Sequence, residues 1–172
     1  MALLASTRRE ADVQSFPLLI FILVPLFALG LQSFVTLHFP RFDMIDLPLL
    51  VTIYFAIAWQ NPIAGTVGGA IIGIAQDALT HHPLGVFGIC KALVGYLAGS
   101  LGVRVDTESH GTRLLVTFLF MWLHGGIFWV LVRRLLAQPF AWDWLHELIQ
   151  AAINALVGVV LFALLDLAKR RE

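Results

Sequence analysis

Apolar residues fall into six long runs separated by short polar breaks. They predict helices at about 16–37, 45–59, 62–79, 84–103, 113–132 and 145–167. Most approach the roughly 20 residues a helix needs to cross a bilayer. The second run is short and carries Pro48 near its start, where a proline costs least because that N–H has no partner inside the helix. The runs are too long and too evenly apolar for barrel strands, and in hydrocarbon the backbone must satisfy its own hydrogen bonds, so α-helices are expected. The breaks leave no stretch for a separate soluble unit. Residues 1–172 are therefore expected to form one polytopic, all-α transmembrane bundle.

Composition agrees: 59% of the 172 residues are hydrophobic and 13% charged, against about 45–50% and about 25% in soluble domains. A formal net charge of zero offers no basic surface for nucleic acid. Cys90 is the single cysteine, so no internal disulfide is available. Arg8 and Arg9 precede the first run with no small-residue cleavage site after it, so it reads as a retained span. The remaining charge sets orientation. With the N-terminus in the cytoplasm, Arg8, Arg9, Arg104, Arg113, Lys169, Arg170 and Arg171 lie inside and Arg41, Arg133 and Arg134 outside. Both ends are then expected in the cytoplasm. Trp142 and Trp144 fall in the outer aromatic belt, and His81 and His82 in an outward-facing turn.

The third and fourth runs carry the most information. Gly65, Gly69 and Gly73 recur every four residues and line one slowly drifting stripe. Gly88, Ala92, Gly95, Gly99 and Gly102 form a second narrow face of roughly 80°. Small residues let backbones approach, which is a main source of helix association in lipid. The two runs are expected to pack as a hairpin; docking of a helix from another protein is the alternative reading of the same faces. Asp77 and Lys91 are the charges deepest in apolar sequence, where a mid-helix charge costs about 2.5–3.5 kcal/mol. Asp77 is placed either as a cap of the turn or as a functional carboxylate. Lys91 either snorkels outward, where it could meet Asp77 or share Gln76, or contacts a partner. His124 sits mid-span in Trp122-Leu-His124-Gly125-Gly126, facing a cavity or another helix. Asn154, with Gly158 four residues on, suits an interhelical hydrogen bond. His81 and His82 with Asp77 could suggest a metal, but a site usually needs three or four converging ligands and no further cluster is visible, so no metal is expected. No nucleophile–base pair, phosphate loop or carboxylate pair is present, so no enzyme activity and no cofactor are expected.

The segment from Gly73 through Asp77, Pro83-Leu84-Gly85 and Lys91 to Gly95-Tyr96-Leu97 resembles the signature of the rod-shape-determining protein MreD family, as does Ile45-Asp46-Leu-Pro48 upstream. Lys91 lies outside that pattern, and His81–His82 occupy a turn where small residues are usual. The resemblance covers about a third of the chain. It implies a non-enzymatic subunit of the bacterial elongasome in the cytoplasmic (inner) membrane. Such a subunit would bind an MreC-like bitopic protein and, through it, MreB, RodA and a class B penicillin-binding protein, so regulating cell shape and lateral peptidoglycan synthesis. The same six-helix form is similar to the S components of energy-coupling-factor transporters. That likeness implies the alternative: a substrate-binding subunit of a small-molecule, vitamin-type transporter.

Overall fold

A computed structural model describes residues 18–38, 44–80, 83–104, 109–139 and 141–167. Among these residues there are six α-helices and no strand: α1 (Leu18–His38), α2 (Leu47–Trp59), α3 (Pro62–Thr80), α4 (Val86–Gly102), α5 (His110–Val130), continued by a π-helical turn (Leu131–Leu135), and α6 (Trp144–Leu167). Each expected run becomes a helix, with ends set by local chemistry. α2 starts at Leu47 because Asp46 caps it: its Oδ1 accepts the Leu49 N–H at 2.9 Å, and Pro48 sits in the first turn. Gln60, left-handed at φ 51°, ends α2. Asn61 then opens α3 by accepting the N–H groups of Ile63 and Ala64. α4 begins at Val86 because Gly85 adopts φ 100°, a conformation that favours glycine. Ser109 caps α5, so that helix begins three residues before Arg113. Phe16, the expected first residue of the first run, lies outside the described residues, as do His81 and His82.

α1, α5 with its π turn, α3 and α6 are long and apolar enough to cross a membrane. α2 and α4 have 13 and 17 residues, about 20 and 26 Å at 1.5 Å per residue, against a hydrocarbon thickness of about 30 Å. α2 can be short because it is the central helix. Every residue from Pro48 to Ile57 is buried, on all sides of the helix. Its N-terminus therefore starts below the level of the longer helices around it. Neighbours alternate in direction, so α2, α4 and α6 run one way and α1, α3 and α5 the other. One contiguous core gathers Leu49, Leu50 and Ile53 of α2 with Val94 and Ala98 of α4, Phe120 of α5 and Phe162 of α6. The outer surface is lined by exposed aliphatic residues such as Ile22, Ile63, Ile71, Leu115 and Leu164.

The α3–α4 interface is the most extensive in the bundle. Gly65 meets the Gly95 carbonyl, Gly69 that of Lys91 and Gly73 that of Phe87, so four residues along one helix match four back along the other. A methyl group built on Gly69 would stand 2.7 Å from the Lys91 carbonyl carbon, and on Gly73 2.6 Å from the Gly88 nitrogen. Gly99 faces Asn61 and Gly102 faces Ile57, while Gly88 lies against the Ile74 side chain. The glycine faces thus face each other within the chain.

Candidate functional site

Asp77 is placed at the hairpin turn, fully buried. Its carboxylate accepts the N–H groups of Gly85 at 2.8 Å, Phe87 at 3.1 Å and Gly88 at 3.3 Å. These are the orphan donors at the start of α4, and a carboxylate there also meets the positive end of the helix dipole. The partners of Asp77 are thus backbone N–H groups rather than Lys91. The expectation that these two charges meet near the outer surface, or that Lys91 snorkels, is corrected by the structure. Lys91 is completely buried, and its Nζ lies 2.6 Å from Oδ2 of Asp46. The cause is topological. α2 and α4 lie side by side and run parallel, so the capping residue of α2 comes level with the second turn of α4.

Asp46 joins three helices. Oδ1 caps α2, Oδ2 pairs with Lys91, and its backbone N–H donates to Oδ1 of Asn154 on α6 at 2.9 Å. Asn154 is also fully buried, and its Nδ2 donates to the carbonyls of Met44 (2.7 Å) and Gln150 (2.8 Å). From α1, Gln32 accepts the Leu47 N–H at 3.2 Å. Lys91 Nζ also lies 5.5 Å from the centre of the Phe87 ring. That ring stacks on His124 of α5 at 5.9 Å and 11°. His124 is buried, and its Nε2 makes no hydrogen bond among the described residues. Thr117, seven residues earlier on the same face of α5, is fully buried with an equally unpartnered Oγ1.

A second polar cluster lies nearer the opposite end. The Tyr54 hydroxyl donates to Oδ1 of Asp166 at 2.8 Å, and Oδ2 of Asp166 pairs with Arg113 at 2.6 Å. Eight residues of α2, about 12 Å, separate Tyr54 from Asp46. Between the clusters lies an apolar layer of Leu50, Phe120 and Phe162, with Thr117 against Gly158. An apolar cavity of about 550 Å³ opens between α1, α2 and α3, lined by Pro25, Phe55, Trp59 and Gly68, and does not reach the ion pair.

Of the residues singled out in sequence, Lys91, His124 and Asn154 converge on this centre. Gly65, Gly69, Gly73, Gly88, Gly95 and Gly99 belong to the hairpin seam. Pro83 and Gly85 form its turn, and Tyr96 faces outward, half exposed. Asp46 is the residue whose role sequence reasoning missed. An aspartate immediately before Leu-Pro at the head of an apolar run is a helix-cap signal, but its pairing with a lysine 45 residues away has no local signature. No group of three or more metal-ligating side chains occurs among the described residues.

Two curated relatives match the chain. Protein TsgA homolog of Edwardsiella ictaluri is 31% identical over 122 residues, 63% of this chain and 31% of that protein. Protein TsgA homolog of Erwinia tasmaniensis is 28% identical over 107 residues, 58% of this chain and 24% of that protein. The chain thus spans under a third of the length of either relative. No family model matches, and no solved structure matches.

These relatives overturn the resemblance to MreD. The elongasome role falls with it, as do the expected partners MreC, MreB, RodA and a class B penicillin-binding protein. The structure supplies a physical reason why the motif misleads. Its glycines serve backbone contact, Asp77 caps a helix, and Gly85 takes a left-handed turn. Each is a requirement of a tight membrane hairpin, and a fold element of this kind does not specify a partner.

Proposed function

We propose that the chain is a transporter-type membrane protein that binds a small polar solute at the Asp46–Lys91–Asn154–His124 centre. The observation that carries this reading is the ion pair itself, buried in an apolar bundle beside an imidazole whose Nε2 has no hydrogen-bond partner among the described residues. An intramembrane ion pair adds little net stability, because desolvation offsets the Coulomb attraction. Its retention at the junction of α2, α4 and α6 is better explained by a task. The likeness to TsgA homologues, a transporter-type family, supports the same class.

Six crossings, with both ends in the cytoplasm of a bacterial cell, complete the proposal. The inward excess of Lys and Arg favours that orientation. The Asp46–Lys91 centre then lies toward the outer surface, and the Tyr54–Asp166–Arg113 cluster toward the inner one. The apolar layer between them acts as a barrier that a moving bundle would open. The role is binding and passage rather than catalysis.

The test uses purified full-length protein and a paired variant, Asp46→Asn with Lys91→Met. The variant keeps a capping side chain and removes both charges. Thermal unfolding is scanned against a library of vitamins and polar metabolites, with mass spectrometry of co-purifying small molecules. A compound that raises the unfolding midpoint of the unmodified protein but not of the variant is the expected result. If nothing stabilises or co-purifies with the unmodified protein, the reading fails.

A further inference from the structure

A second feature lies on the far flank of α4, away from the ion pair. A groove of about 810 Å³ runs between α4, α5 and the segment that returns into α6. Ile89 and Leu93 form one wall, and Trp122, Trp129, Trp142 and Trp144 line the rest. Those are four of the five tryptophans in the sequence. Trp142 stands edge-on to Trp129 at 5.8 Å and to Trp144 at 5.5 Å. Their convergence depends on how α5 ends. Its last turn widens into the π turn, and Ala137 takes a left-handed φ of 51°, reversing the chain so that Trp142 returns over Trp129.

Interfacial tryptophans normally anchor singly at the headgroup level. Here they build a concave apolar wall with a cationic rim. The Arg133 guanidinium lies 5.2 Å from the centre of the Trp129 ring, and Arg134 follows it. Both arginines are exposed, and neither has a carboxylate partner among the described residues. Of the carboxylates nearby, Asp143 caps α6 through the N–H groups of Leu145 and His146, and Glu147 packs against Gly125 of α5. Nε1 of Trp142, a donor, is shut from solvent with no hydrogen bond. The site therefore offers apolar length and the Arg133 cation at its Trp129 wall, with exposed Arg134 beside it in sequence. Those features match an amphiphile with an anionic head.

We propose that this groove binds an anionic phospholipid, its acyl chain laid against the tryptophans and its phosphate held by Arg133 and Arg134. The proposal is independent of the solute site at Asp46 and Lys91.

The experiment reads tryptophan emission from the full-length chain carrying Trp59→Phe, so that the signal comes from the four groove tryptophans. The protein is reconstituted in vesicles of phosphatidylcholine with a fixed minor fraction of phosphatidylglycerol. Bromine quenchers are placed on the acyl chains of either the phosphatidylglycerol or an equal amount of the phosphatidylcholine. Brominated phosphatidylglycerol is expected to quench several-fold more, in line with the attraction of arginine for anionic lipid near a membrane surface. The gap should close in Arg133→Gln/Arg134→Gln protein and shrink at high salt. Equal quenching by both lipids would mean ordinary boundary lipid only and would overturn the proposal. So would quenching by neither, which would mean that another protein surface covers the groove. A gap that survives the double substitution would remove the role of the arginines and sink it as well. Where the double variant does not reconstitute, the salt series on the Trp59→Phe chain decides: a gap indifferent to salt ends the proposal.

Discussion

Between α3 and α4 the two backbones touch, whereas between α2, α5 and α6 side chains hold the helices apart. In the hairpin, glycines place carbonyls of one helix against the other, and Asp77, its one buried carboxylate, has three N–H partners. On the other side a lysine, an aspartate and an asparagine are buried in one network, and two polar atoms, Thr117 Oγ1 and His124 Nε2, are left unpartnered. Both regions bury polar chemistry. The hairpin spends its charge on closing its own geometry and leaves one amide oxygen, Gln76 Oε1, unpartnered, whereas the other side leaves two polar atoms uncommitted around an ion pair. Unsatisfied buried polar groups are rare and costly, so two of them beside a buried ion pair mark the part of the bundle where function is to be sought.

The sharpest break of that comparison is overpacking the hairpin. Gly73→Leu or Gly95→Leu drives a side chain into backbone that cannot yield. Loss of the folded bundle is expected, well beyond the 1–3 kcal/mol typical of overpacking, with the monodisperse peak vanishing from fluorescence-detected size exclusion. If both variants assembled normally, close backbone contact would not be what holds α3 to α4.

Next in size is Lys91→Met alone, which strands Asp46 as an uncompensated buried charge. A loss of about 3–5 kcal/mol is expected, and adding Asp46→Asn should restore most of it. A double-mutant cycle on unfolding free energies measures the coupling, and simple additivity would contradict a direct ion pair. Asn154→Leu comes third. It leaves the Met44 carbonyl and the Asp46 N–H without their partner and should cost about 1–3 kcal/mol, read from the same unfolding curves. Asp77→Ala is expected to cost about 0.5–2 kcal/mol as a lost cap and Asp77→Asn somewhat less, since the amide keeps one of the two acceptor oxygens. Equal losses for the two would show that the charge matters more than the cap.

The smallest stability effect is expected at an unpartnered polar atom. Thr117→Val replaces an unpartnered hydroxyl by a methyl, so stability should hold or rise slightly. If the α2–α5–α6 side is the working part, solute binding should nevertheless weaken. A Thr117→Val protein with unchanged binding would confine the site to the Asp46–Lys91 end.

What the sequence determined by itself is what depends on neighbours a few residues apart. Runs of apolar residues set six helices to within two or three residues of their ends, and Asp46, Gly85 and Ser109 account for most of those small differences. The four-residue spacing of Gly65, Gly69 and Gly73 identified the face on which α3 meets α4, because that spacing is close to the 3.6-residue helix period. The same local motif also suggested MreD, and there it misled, since hairpin geometry is shared by helices with unrelated tasks. Only the tertiary structure decided which charge meets which. Asp46 and Lys91 are 45 residues apart, and Asp46 and Asn154 108. Those contacts arise because α2 is short, central and parallel to α4 and α6. No periodicity along the chain encodes that arrangement; it follows from how six helices divide the space around one of them.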